Sequence, residues 1–306
     1  MPVGSRRKLG LAFSDSGVLI AEVRPNGRAH VTAAASIAFT ATVGLNDPAA
    51  LGKEISETLR RHRIRTRRAV IGLPARWLMS RLKPVPPAEG EALAEILRLT
   101  AERAFSADGS ELLIDYIPPA AGRAEEQVLL LATMRRRVDQ VRQAAEAAGL
   151  RIEAVTSSTA ALALAGRNPA QATGADLVVQ LSDDAVEVAV RHNQQLRLLR
   201  HVPLHVNKLE PSLVAGELRR ALGADPRGAS AESADRLVVW DVTGAPHAGS
   251  RIGESASGAN LPREQPGQLS ALAHVNGELG PAAEAMRFAP AIAVALAATA
   301  SARAAR

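Results

Sequence analysis

The sequence contains no cysteine, which excludes disulfides, thiolate nucleophiles and cysteine metal sites together and fits a reducing compartment. Aromatic residues make up 2% of the chain, too few to offer a platform on which nucleic-acid bases could stack. No apolar run approaches the roughly 20 residues of a membrane-spanning helix, and the basic start "MPVGSRRKLG" is not followed by the apolar core of a signal peptide. These absences lead to the expectation of a cytoplasmic protein. The histidines show no metal-ligand spacing such as HExxH. His201 and His205 flank Pro203 in an extended stretch, where a separation of four does not place them on one helical face. Ser157 and Ser158 lack the setting of a nucleophile elbow. The reading therefore assigns no catalytic residue and no metal site.

What is present is an ordinary globular composition, 47% hydrophobic and 22% charged over 306 residues, enough for a substantial core and about two domains. The excess of Lys and Arg gives a net charge of +6, so polyanions have to be considered as partners. The basic clusters at Arg60-Arg61, Arg65–Arg68 and Arg135–Arg137 lie far apart in sequence. They read as solvated faces near an anionic membrane surface rather than as a nucleic-acid interface.

Lys8 to Val23 and Arg28 to Thr42 are rich in β-branched and small apolar residues and are separated by "RPNGR", whose Asn26-Gly27 pair signals a hairpin. This predicts three antiparallel strands. A helix follows, with Asp47 as N-cap, Pro48 at its first position and Leu51, Ile55 and Leu59 on one face. "RAVIGLP" predicts a strand, "WLMSRLKPVPP" an extended arm, and "EGEALAEILRLTAERAF" an amphipathic helix. "ELLIDYIP" and "QVLLLATM" predict two more strands, and "RRRVDQVRQAAEAAGL" a helix closed by Gly149. From Arg68 to Leu150 the pattern is thus a βα-ββα block.

After the strand "RIEAV" and the small-residue helix "TSSTAALALAG", the opening pattern returns in "ADLVVQLSDDAVEVAVRHNQQLRLLRHVPL". Two copies of one supersecondary unit around an inserted block predict a two-lobed α/β architecture built by duplication. The remainder predicts a helix in "PSLVAGELRRALGA", a strand "RLVVWDV" with a glycine turn, a loose Gly/Ser/Pro-rich stretch from His247 to Gln268, and a last apolar helix from Pro290 to about Ala304.

These units resemble the actin-like ATPase superfamily, a duplicated ribonuclease H-like fold, and within it the PilM family of type IV pilus assembly proteins. "LGLAFSDSGVLIAEV" is similar to the family's opening "GLDIGSSSVKAVEL", and "RAVIGLPARWLMSRLKPVPPAEGEALAEIL" to its strand, arm and acidic helix. The ordered set of pieces covers most of the chain. The resemblance implies a cytoplasmic protein related to FtsA and to the cytoplasmic part of GspL, lying at the inner face of the inner membrane. It implies lobes at 1–67 with 151–172 and at 173–306, and an inserted domain at 68–150. ATP would bind between the lobes, and the tail of a PilN-like inner-membrane partner would be held beside the inserted domain. A homo-oligomeric ring is a further implication, with membrane association through the partner and no nucleic acid.

Matched position by position, the family's first-strand Asp falls on Ala12 and its Gly on Ser14, while its second "DIG" falls on Gln180, Leu181 and Ser182, followed by Asp183 and Asp184. Phosphate-cradling turns work by converging backbone N–H groups, and carboxylates orient the cation. Ala12 and Gln180 cannot orient one. A nucleotide cleft would draw on Ser14, Asp15, Ser16, Gly17, Ser182 and Asp183, with Glu217, Arg220, Thr243 and Gly244 near the base. The reading open beside this is a pair of ordinary polar hairpin tips. "RWLMSRLKPVPP" supplies Trp77, Met79 and Leu82 in an extended segment as candidate partner-binding residues, or an arm packed on its own domain. The expectation is a scaffold without a bound cofactor; the alternative is a working ATPase or kinase using Mg-ATP.

Overall fold

The computed structural model describes residues 7–25, 29–86, 88–118, 127–165, 175–183, 185–192, 195–202, 216–220, 235–243, 264–275 and 282–304. The opening meander is present as β1 (Lys8–Phe13), β2 (Gly17–Arg24) and β3 (His30–Ala38), paired antiparallel. The Asn26-Gly27 turn between the last two lies outside the described residues. Helix α1 (Pro48–Arg61) starts on Asp47, whose carboxylate accepts from the Ala50 N–H at 3.0 Å, and it buries Leu51, Ile55 and Leu59 completely.

Strand β4 (Arg68–Leu73) lies parallel to β1, and β8 (Arg151–Ser157) lies parallel to β4. Between them run a 3₁₀ turn (Ala75–Trp77), β5 (Leu78–Pro84), α2 (Gly90–Phe105), β6 (Leu112–Ile117), β7 (Gln127–Met134) and α3 (Arg135–Ala147). The second half supplies α4 (Ser158–Ala165), β9 (Ala175–Leu181), β10 (Val186–His192), β11 (Gln195–Val202), β12 (Arg236–Asp241), β13 (Glu264–Pro266), β14 (His274–Val275) and the last helix α5 (Ala289–Ala304). Of the helix expected around Glu217, residues 216–220 are described and helical.

The duplication is visible in strand order. One sheet runs β14-β3-β2-β1-β4-β8 and the other β11-β10-β9-β12-β13. In each, an antiparallel meander is extended from its first strand by parallel strands. A third, antiparallel sheet, β5-β7-β6, is backed by α2 through Val85, Leu97, Ala101, Val128 and Leu130.

Three features of the packing are not written in the local pattern. Strand β4, which opens the segment 68–150, joins the sheet of β1, and α3, near its end, packs on α1. Of the stretch expected to be loose, from His247 to Gln268, residues 264–268 are described and Glu264–Pro266 pair parallel to β12 as β13; the rest lies outside the described residues. In the C-terminal part, β14 adds to β3 and α5 lies on β1, β2 and β4.

That last packing explains the composition of the opening strand. Leu9, Leu11 and Phe13 face α1 and α3 in one core, whereas Ala12 belongs to the core that contains α5. A Cβ on Gly10 would lie 2.1 Å from the Ala291 carbonyl oxygen, and one on Gly72 would lie 2.5 Å from a Val294 methyl. Large residues on one face and Gly or Ala on the other let the Ala-rich helix lie directly on the sheet. Helix α4, from the end of the first lobe, packs on α5 and on β9, β10 and β11. The two helices thus cross between the lobes. No helix among the described residues is long and apolar enough to cross a membrane.

At the end of the first sheet away from the lobe junction, Glu22 is 1% exposed. Its carboxylate accepts from Thr32 and Thr66 hydroxyls, both at 2.6 Å, and from Arg7 at 2.8 Å. Burial pushes its pKa up, but these three donors outweigh burial and hold it below the ordinary carboxylate value.

Two outcomes follow. Gly10→Ala should lower the unfolding free energy in urea by about 3 kcal/mol through overpacking, whereas Gly44→Ala, with its nearest neighbour 3.8 Å away, should stay within about 0.5 kcal/mol. Because the folded pKa of Glu22 lies below the unfolded one, its contribution is present above the unfolded value and disappears as pH falls through the folded value. Glu22→Gln should therefore cost about 1–3 kcal/mol at pH 7, and urea titrations should show that deficit shrinking steadily toward pH 3.

Candidate functional site between the lobes

The turn after β1 and the turn after β9 meet across a cleft of about 240 Å³. Ser14, Asp15, Ser16 and Gly17 line it from the first lobe and Ser182 and Asp183 from the second. The fold therefore brings together six residues separated by more than 160 positions. Glu217 and Thr243 are not among the lining residues. Glu217 pairs with Arg200 at 3.6 Å and with Arg220 on its own helical turn, and Thr243 donates its hydroxyl to Asp241 at 2.6 Å. Asp184 and Gly244 lie outside the described residues.

The first turn is closed on itself. The Ser14 N–H donates to the Gly17 carbonyl at 2.9 Å. The N–H groups of Ser16 and Gly17 donate to the Ser14 hydroxyl at 3.2 and 3.1 Å. A serine at this position thus satisfies from within the turn the donors that a bare glycine would present to an anion. In the second turn the Ser182 N–H and hydroxyl both donate to Ala185, at 2.9 and 3.1 Å.

Asp15 is engaged by two neighbours. It forms an ion pair with Arg76 and accepts from the Trp77 indole N–H at 2.8 Å. Both partners come from the 3₁₀ turn after β4, so one carboxylate ties the tip of the β1-β2 hairpin to the start of β5. The Arg76 N–H in turn donates at 3.3 Å to Glu187, on β10 of the second lobe. Glu187 is 1% exposed and also accepts from the Thr159 hydroxyl of α4, whose oxygen lies 3.3 Å from the Gln180 side-chain oxygen. Gln180, where a carboxylate was expected by resemblance, belongs to this bridge. Sequence reasoning missed Arg76 and Glu187, and the only signal was the placement of "PARW" directly after a buried strand.

The cleft therefore gathers Asp15, Asp183 and Glu187 against Arg76 and Arg287. Its volume is below the roughly 300–1,000 Å³ of sites for drug-sized ligands. The three carboxylates outnumber the two guanidinium groups by one. Arg76, the guanidinium nearest the first turn, already carries a counter-ion.

A second concavity, about 760 Å³, opens on the other side of Asp15 and Arg76. Phe39, Leu45, Trp77, Met79 and Met134 supply its apolar lining and Arg136 and Arg137 its charge. Trp77 lies in the 3₁₀ turn and not in the extended arm; its ring sits 6.5 Å from Phe13 and 5.3 Å beneath the Arg137 guanidinium. Alternation along β5 separates Met79 from Leu82. Leu82 packs instead on the core shared with the second lobe, beside Ser80, whose hydroxyl donates to the Leu199 carbonyl of β11. The structure thus unites Trp77 and Met79 in one groove and leaves Leu82 out.

Two sheets of the same strand order, joined by crossing helices around a cleft, define the actin-like ATPase fold. No protein-family model matches the sequence, and no curated protein does. Among solved structures the chain is similar to that of the PilM-PilN type IV pilus biogenesis complex, with a TM-score of 0.74 at 20% identity over 95% of this chain and 97% of that one. It is also similar to the cytoplasmic domain of EpsL, an inner-membrane component of the type II secretion system of Vibrio cholerae (TM-score 0.51, 15% identity, 77% and 82% covered). A Bacteroides thetaiotaomicron protein with an actin-like ATPase fold matches with a TM-score of 0.54 at 10% identity, with 86% and 91% covered.

Replacing Asp15 with Ala should release the 3₁₀ turn. The expected result is a loss of about 1 kcal/mol in urea unfolding, discounted for partial exposure. Trp77 emission should shift to the red, while Trp240, 1% exposed, supplies an unchanged background.

Proposed function

We propose that the chain is an actin-like scaffold of a pilus or secretion platform, working at the cytoplasmic face of an inner membrane. In this reading it holds the cytoplasmic tail of a PilN-like membrane protein and does not hydrolyse ATP. The observation that carries the reading is the likeness, over 95% of this chain, to a protein solved with PilN.

The groove beside Trp77 is the site we assign to the tail. It is apolar and methionine-lined, so it adapts to side chains of different shape, and Arg136 and Arg137 favour a segment that carries acidic groups. An extended peptide lying there would run between the first lobe and the three-stranded sheet, the unit that serves as the inserted domain. Leu82 takes no part in this contact.

The interlobe cleft supports the non-enzymatic half of the proposal. Self-closed turns and the Asp15–Arg76 pair occupy, from within the protein, groups that would otherwise engage the phosphates and cation of Mg-ATP, and Ala12 offers no ligand atom. The bridge from Arg76 through Glu187 to Thr159 would serve as a strut holding the lobes at a fixed angle.

Binding of a synthetic PilN tail peptide, followed by fluorescence anisotropy, should weaken at least about tenfold in Trp77→Ala and in Met79→Glu, the usual cost of losing a central anchor. Leu82→Ala should bind as the parent does. Mg-ATP at millimolar concentration should leave the melting temperature unchanged; a saturable rise accompanied by phosphate release would favour the ATPase alternative instead.

A further inference from the structure

The parallel strands β1 and β4 point their C-terminal ends at the cleft, so their N-terminal ends form the opposite rim of the first lobe. Helix α1 runs back along them and delivers its C-terminus to that same rim, where Arg60 and Arg61 extend the chain's basic charge to the negative end of the helix dipole. The connection to β4 adds Arg63, Arg65, Arg67 and Arg68. Clusters that look local in sequence are therefore joined with Arg7 and Lys8 at the start of β1.

Two neighbouring hollows occupy this rim. One, of about 670 Å³, is lined by Lys53, Arg60, Arg63, Arg65 and Arg67 with Glu57. The other, of about 790 Å³, is lined by Arg7, Lys8, Arg65 and Arg68 with Glu22 and Glu153. The acidic groups are largely committed: Glu153 pairs with Lys8 at 3.2 Å and Arg68 at 3.3 Å, and Glu22 is buried against Arg7. Lys53, Arg60, Arg63 and Arg65 are exposed and have no ion pair among the described residues. Apart from the half-buried Glu57 and the paired Glu153, the charged side chains that reach solvent here are basic.

We propose that this rim docks directly on an anionic phospholipid surface, with the guanidinium groups engaging lipid phosphodiesters. Arginine matches phosphate oxygens bidentately, and each basic side chain close to an anionic leaflet contributes about 1 kcal/mol. A protein partner would want an apolar or aromatic centre to desolvate. The exposed large hydrophobic residues among the described ones are Leu99, Val155 and Leu164, none of them lining either hollow. A single-stranded nucleic acid would want stacking side chains, and the lining offers none. Docking by this rim leaves the cleft and the Trp77 groove uncovered, because both lie at the other end of the strands. The inference stands without the platform reading, since it concerns the isolated chain and lipid.

The test is co-sedimentation of the full chain with vesicles of 30% phosphatidylglycerol in phosphatidylcholine at low salt. Binding should fall steeply between 50 and 300 mM NaCl and be absent on pure phosphatidylcholine. The double variant Arg60→Gln with Arg65→Gln should lower the partition coefficient roughly thirtyfold, by removing two such contributions. Arg142→Gln, on the exposed side of α3, should leave it unchanged, and matching melting temperatures should establish that all variants are folded. No partition of the parent chain, equal partition of the double variant, or stronger binding to duplex DNA of equal phosphate concentration would each overturn the proposal.

Discussion

The close crossing of α5 over the first sheet is the contact on which the rest of the architecture depends. It is made of residues with almost no side chain: Gly10, Ala12 and Gly72 below, Ala291 and Ala295 above, and Ala160, Ala161 and Ala163 of α4 alongside. Each alanine buries little apolar area, so the stabilisation comes from backbone approaching backbone at interior packing density. Helix α5 belongs to the C-terminal half of the chain yet covers the first sheet, and α4 makes the reciprocal crossing. The exchange sets the distance between the two hairpin tips.

With that distance set, small changes in the tips decide what the junction can do. Ser14 closes the first turn on itself, Ala12 offers no ligand atom, and Asp15 is held by Arg76 and Trp77. Ligands in α/β folds gather outside the carboxyl ends of the strands, and here that location is crossed by a buried polar bridge through Glu187 and Thr159. An unpaired carboxylate so deeply buried would be costly; its hydrogen bonds make it a specific contact between the halves. The same Arg76 and Trp77 form one wall of the groove next door. The junction and the groove therefore share a wall.

Much of this was legible in advance where local chemistry is strong. The capped helix α1, the opening meander and its recurrence after α4 each follow from a cap, a turn pair or an alternating pattern that needs no distant partner. What stayed hidden depends on distant partners. Strands β13 and β14 are three and two residues long, within stretches rich in glycine and proline, and exist because a neighbouring strand offers its edge. Trp77 reads as part of an extended arm until Asp15, 62 positions away, draws the indole into a 3₁₀ turn. The basic rim reads as scattered clusters until α1 folds back along β4.

The sequence alone determined the kind of elements and their duplicated order, because these are properties of local pattern. Only the tertiary structure decided which carboxylates meet which cations, which face of β5 is buried against the second lobe, and where the positive charge collects. Those outcomes depend on which surfaces the helix crossings bring within a few ångströms, a distance that no spacing along the chain encodes.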